Sequence, residues 1–159
     1  APYVGTIALD GNLTLELLTE IASSPLFAAA DLRVAPASPG KAERLSPFLN
    51  AQRATLYVNR EEAGLLLKSP TSSARDAAEA LIARGAHRVL VTDGGSEAAY
   101  AARVLTHTPP EVLVTRVTGA GDTFMAAHIA AERKGTPPAA ALERALTAAA
   151  IYVSGETPL

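Results

Sequence analysis

The chain contains no cysteine and no tryptophan, and aromatic residues make up only 4% of it. Without cysteine there can be no disulfide and no thiolate-held metal. Few aromatics, with much of the 48% apolar content supplied by alanine, disfavour an aromatic-rich β-sandwich and favour helices packed closely on a sheet. No stretch approaches the run of about eighteen apolar residues that reads as a membrane span. Basic and acidic residues are scattered and the formal charge is −2, so there is no electrostatic case for a nucleic-acid partner or an acidic membrane. The opening Ala1-Pro-Tyr-Val lacks a basic leader pattern, so a cytoplasmic location is the expectation. There is neither an internal repeat nor a low-complexity linker.

At 159 residues the chain can bury one core. Strand-like and helix-like segments alternate along it. Strands are expected at Tyr3–Leu9, Leu32–Ala35, Ala54–Val58 and His87–Thr92. Glu97–Ala102 and Arg103–Thr106 read as sheet-edge strands, and Glu111–Thr115 as a buried one. Helices are expected over Leu13–Ala22 with Asn12 as cap, Lys41–Leu49, Arg60–Leu67, Ala74–Arg84, Phe124–Lys134 and Pro138–Val153. This order predicts an α/β fold, a mostly parallel sheet covered on both faces. Ligands of such sheets bind beyond the carboxyl ends of the strands. Asp10, Asn59, Asp93 and Asp122 all fall near such ends and are expected to converge.

The most informative run is Thr118-Gly-Ala-Gly-Asp122-Thr123, between a strand-like segment and an alanine-rich helix. Glycines there permit a tight turn whose N–H groups aim at one point, and the helix dipole adds positive potential. The N–H groups of Gly119, Ala120 and Gly121 could hold a phosphoryl group while the Asp122 carboxylate takes a proton from an attacking hydroxyl. The plainer alternative is a helix start capped by Asp122 or Thr123. The run is neither G-x-G-x-x-G nor a Walker A loop, which excludes the dinucleotide and P-loop readings.

Asn59 and Glu62 stand three apart at a helix start, where they could hold Mg²⁺ or its waters. The same spacing also makes a capping box. Thr92-Asp-Gly94-Gly95 closes a strand and could meet a nucleotide, or be an ordinary glycine turn. His87, His107 and His128 have no ligand spacing, and His128 reads as a core or surface residue.

Together these runs resemble the PfkB (ribokinase-like) carbohydrate kinase family. Its D-T-x-G-A-G-D signature is matched by Arg116-Val-Thr-Gly-Ala-Gly-Asp122, its N-x-x-E motif by Asn59-Arg-Glu-Glu62, and its V-T-x-G stretch by Val91-Thr-Asp-Gly94. Within the family, Val117-Thr-Gly-Ala-Gly-Asp122 and Asp10-Gly-Asn-Leu13 look most like pseudouridine kinases, and Pro36-Ala-Ser-Pro-Gly-Lys41 fits that subgroup too. The resemblance implies a ribokinase-like three-layer α/β/α fold, of which residues 1–159 supply the C-terminal nucleotide-binding and catalytic half. The N-terminal substrate and lid half is expected to be absent.

The implied activity is ATP-dependent phosphoryl transfer to a hydroxyl of a sugar or nucleoside, with a pseudouridine-like acceptor favoured. Asp122 would be the base, with Gly119, Ala120 and Gly121 forming the anion hole. Thr92, Gly94, Thr118 and Asn59 would line the nucleotide pocket, with Glu62 and Asn59 near Mg²⁺. Arg116 replaces the family's aspartate beside a monovalent-cation site, which argues against K⁺ activation. The implied partner is a small-molecule sugar or nucleoside, and the full-length protein is a candidate homodimer. The alternative is a nucleotide-binding remnant without catalysis.

Overall fold

In a computed structural model describing residues 1–51, 53–101 and 105–155, six strands form one sheet in sequence order. They are β1 (Thr6–Asp10), β2 (Asp31–Ala35), β3 (Ala54–Asn59), β4 (Arg88–Asp93), β5 (Ser96–Ala101) and β6 (Leu105–His107). The first four are parallel, with Leu9 opposite Val34, Val34 opposite Leu56 and Val58 opposite Val91. β5 then returns antiparallel to β4 through the turn at Gly94 and Gly95, and β6 pairs antiparallel with β5. A parallel sheet needs cover on both faces, and its central strands are accordingly largely buried on both sides.

Alternation along β3 and β4 feeds two cores. Leu56, Val58, Val89 and Val91 face one layer, where they meet Leu18, Phe48, Leu66 and Leu81. Those residues come from α1 (Leu15–Ser23), a 3₁₀ segment (Pro39–Leu49), α2 (Arg60–Leu67) and α3 (Ala74–Ala83). Tyr57 and Leu90 point the other way, onto Phe124, Leu142 and Leu146. These belong to α4 (Ala120–Arg133) and α5 (Pro138–Ser154), which pack on each other. The result is the expected three-layer α/β/α arrangement. Among the described residues no helix is long and apolar enough to cross a membrane.

Several local expectations are corrected. Glu111–Thr115 is not a buried strand: Leu113 is 82% exposed and Val114 57%. A β-rich apolar run still needs a neighbouring strand for its N–H and C=O groups, and among the described residues only Thr115 finds a backbone partner, donating to Val153 O at 2.7 Å. The Lys41–Leu49 helix is a 3₁₀ segment from Pro39 to Leu49 with Pro47 inside it, where a ring without an N–H interrupts α-helical bonding. α1 is capped by Thr14, whose hydroxyl accepts from Leu17 N, because Asn12 is engaged with Asp10 and Lys41. Ala102, which ends one expected edge strand, and Arg103 and Val104, which begin the other, lie outside the described residues.

Candidate active site

The carboxyl ends of β2, β3 and β4 and the start of α4 enclose one cleft of about 1900 Å³. All the anticipated site residues line it: Asn59, Glu62, Thr92, Gly94, Thr118, Gly119, Ala120, Gly121 and Asp122. Asp93 joins them, but Asp10 does not. Asp10 ends the edge strand β1, two strands from Asn59, and each strand spacing adds about 4.8 Å. Its carboxylate instead accepts from the backbone and side-chain nitrogens of Asn12 at 2.8 and 3.1 Å. The expected convergence thus holds for three of the four residues.

The turn before α4 has the geometry of an anion cradle. Gly119 sits at φ +91°, in the left-handed region that costs a residue with a Cβ roughly 1–2 kcal/mol. A Cβ there would also stand 2.5 Å from the Tyr152 hydroxyl. Ala120 donates its N–H to Val117 O at 3.0 Å, so that donor is used within the turn. The N–H groups of Gly119, Gly121 and Asp122 have no protein acceptor among the described residues. Those of Gly121 and Asp122 sit in the first turn of a fourteen-residue helix, where the dipole favours negative charge. Asp122 is exposed at the cleft, so its carboxylate can reach a hydroxyl brought there.

Asn59 and Glu62 form a complete capping box. The Asn59 side chain accepts from Glu62 N at 2.8 Å, and Glu62 Oε2 accepts from Asn59 N at 2.9 Å. Burial pushes the Glu62 carboxyl above its ordinary pKa, against the lowering effect of the Asn59 hydrogen bond. Its second oxygen makes no protein hydrogen bond among the described residues, so capping and a role toward a cation are compatible. No group of three or more ligating side chains occurs among the described residues. Mg²⁺ commonly keeps several waters and binds through few protein oxygens plus phosphates, and one spare carboxylate oxygen fits that mode. On the far side of Asn59, Arg60 pairs with Asp93 at 3.2 Å.

The floor of the cleft holds residues that the sequence did not flag. Tyr57 and Phe124 line it, their rings edge to face at 6.4 Å, and Phe124 stacks on His128. Behind them lies a buried polar cluster. Arg33 donates to Tyr57 Oη at 2.8 Å, and Tyr57 lies 2.7 Å from His128 Nδ1. The Tyr57 hydroxyl and His128 Nδ1 thus share one hydrogen bond, whose donor follows the histidine tautomer. Glu132 accepts from Arg33 at 2.6 Å and from Arg88 at 2.8 and 2.9 Å. Burial pushes the His128 pKa down to about 4 and the Tyr57 pKa up to about 12. Burial alone would raise Glu132, but Arg88 and Arg33 outweigh it and bring the carboxyl down to about 2. His128 is therefore neutral near pH 7, and its 3.6 Å approach to Glu132 is not an ion pair. No sequence spacing signals this cluster, whose members come from β2, β3, β4 and α4.

Comparison with known proteins agrees with the fold. A structure from Clostridium perfringens superposes with a TM-score of 0.82 at 24% identity, over 96% of this chain and 49% of that one. A carbohydrate kinase from Agrobacterium tumefaciens gives 0.71 at 30% identity, over 91% and 46%. The adenosine kinase of Sinorhizobium meliloti gives 0.77 at 19%, over 93% and 48%. The chain thus spans about half the length of these structures. No curated protein matches it significantly. The model of the pfkB family carbohydrate kinases matches residues 3–157, and the chain belongs to that family.

Proposed function

We propose that residues 1–159 form the nucleotide-binding and phosphoryl-transfer half of a sugar or nucleoside kinase. One observation carries the reading. The Gly119–Asp122 turn, the Asn59–Glu62 helix start and the Thr92–Gly94 strand end face one cleft, although up to 63 residues separate them in sequence. Any one of these is an ordinary cap or turn, whereas three around one opening suit a nucleoside triphosphate beside an acceptor hydroxyl. The family supports phosphoryl transfer to carbohydrates.

In this reading Asp122 accepts the acceptor's proton as the new O–P bond forms, because a free hydroxyl is scarcely ionised at neutral pH. The unengaged N–H groups of Gly119 and Gly121 face the equatorial oxygens of the transferred group. Donors fixed in place before reaction are worth roughly 3 kcal/mol each. Thr92, Gly94 and Thr118 line the nucleotide side of the cleft. Bound Mg²⁺ supplies charge neutralisation at the β- and γ-phosphates, and Glu62 with Asn59 would hold it through water. Arg116 stands where the family carries an aspartate, which argues against K⁺ activation.

A pseudouridine-like acceptor is favoured by Asp10-Gly-Asn-Leu13 and Pro36–Lys41. In the structure these two runs are joined. Lys41 Nζ bonds the Asn12 side chain, Arg44 donates to Gly11 O at 2.7 Å, and Pro36, Ala37, Ser38 and Pro39 line the cleft. The cleft is larger than the roughly 300–1,000 Å³ of a typical ligand pocket, as fits a site whose acceptor wall comes from a further segment. That openness also favours a second reading, a nucleotide-binding unit without catalysis. Full-length protein assayed for ADP formation with pseudouridine, ribose and fructose separates the two. Turnover with pseudouridine is expected; ATP binding with no ADP from any acceptor would favour the second reading.

A further inference from the structure

The peptide joining Thr118 to Gly119 is held from behind by the last helix. Tyr152 donates from its hydroxyl to the Thr118 carbonyl at 2.6 Å. A trans peptide is planar, with C=O and N–H pointing in opposite directions. Fixing the carbonyl against α5 therefore fixes the Gly119 N–H on the side away from Tyr152. That N–H is one of the unengaged donors of the turn.

The tyrosine is itself braced. The Arg116 guanidinium lies 4.2 Å from the centroid of its ring, and Arg116 Nε donates to Tyr152 O at 2.7 Å. The strap that carries Arg116 is tied to the same helix end, with Thr115 N and Arg116 N both donating to Val153 O at 2.7 and 3.1 Å. The absence of a Cβ at Gly119 lets the hydroxyl approach this closely. The same absence makes the peptide easy to turn over, since glycine takes either sign of φ at little cost. A turned-over peptide would present the Thr118 carbonyl oxygen, which repels an anion, where the N–H now stands.

We propose that Tyr152 is a positioning residue: its hydroxyl, braced by Arg116, holds the Thr118–Gly119 peptide in the orientation that leaves the Gly119 N–H available to an anion. The consequence for turnover rests on the kinase reading above; the consequence for the peptide does not.

The test uses the full-length protein and Tyr152→Phe, which keeps the ring and its stacking on Arg116. In the ¹⁵N–¹H spectrum of ligand-free protein, the Gly119 amide should shift and broaden in the variant while Gly135, at the far end of α4, stays unchanged. The kcat for phosphoryl transfer should fall about tenfold or more, up to the roughly 10²–10³-fold of a donor lost outright. KM for ATP should stay within about twofold, as for an interaction made only in the transition state. Arg116→Met leaves the hydroxyl in place and should give a smaller loss of the same kind. An unchanged Gly119 resonance overturns the proposal, and so does a kcat within about twofold of wild type. A wild-type protein that transfers phosphate to no acceptor would instead defeat the kinase reading, and the amide spectrum would still decide the role of Tyr152.

Discussion

The Tyr57 hydroxyl sits 2.7 Å from Nδ1 of His128, inside the sheet-to-helix interface beneath the turn that carries Asp122. The histidine is 1% exposed, and its Nε2 is buried with no hydrogen-bond partner among the described residues. Tyr57→Phe would leave Nδ1 equally alone. Removing one partner of a buried hydrogen bond costs about 1–3 kcal/mol, and urea denaturation should register a loss in that range. A midpoint at or above wild type would mean that the pair contributes nothing to stability.

The same histidine predicts a pH dependence. Its folded pKa of about 4 lies below the ordinary 6.5, so the unfolded chain binds a proton first as pH falls. Stability is therefore full above pH 6.5 and declines toward pH 4, by up to about 3 kcal/mol. Glu132, lowered from 4.5 to about 2, acts in a separate window. Its contribution is complete above pH 4.5 and is lost toward pH 2. His128→Phe should abolish the upper decline and leave the lower one. An unaltered profile in denaturation series across both windows would contradict the buried neutral histidine.

Glu132 neutralises Arg33 and Arg88 together. Glu132→Ala would leave Arg88 without its carboxylate behind the cleft and Arg33 with Asp31 alone, at 2.8 Å. Breaking a buried pair by removing one partner costs about 3–5 kcal/mol, so this should be among the most damaging single substitutions outside the apolar core. Glu132→Gln, which can still accept hydrogen bonds, should be milder. Equal midpoints for the two would show that hydrogen bonding, not charge, is irrelevant to the damage.

The Asn59–Glu62 capping box makes a two-sided prediction. Asn59→Ala removes an N-cap worth about 1 kcal/mol of stability. Glu62→Gln should raise the Mg²⁺ concentration needed for half-maximal turnover, through loss of its spare carboxylate charge. A Mg²⁺ titration that overlays the wild type would reduce Glu62 to a cap.

What was legible in the sequence was local. The cap at Asn59, the glycine turn at Gly119 and the strand end at Thr92 are each written in a few adjacent residues, and the structure brings them to one cleft. Glu111–Thr115 misled because Val112, Leu113 and Val114 have strand-like composition, while strand formation depends on a pairing neighbour that composition does not report. Asp10 misled for a related reason: it does end a strand, but its distance from the cleft depends on strand order. Tyr57 and Tyr152 went unread, and His128 was read only as a core or surface residue, because their roles come from partners 24 to 71 residues away in sequence.

The most direct test concerns Asp122. In the full-length protein, Asp122→Asn keeps size and polarity but removes the carboxylate proposed as the base. Loss of general-base catalysis costs typically about 10²–10⁴-fold, so kcat should fall within that range while ATP affinity by calorimetry stays at the wild-type value. A variant that turns over at the wild-type rate would contradict the assignment of Asp122 as the proton acceptor.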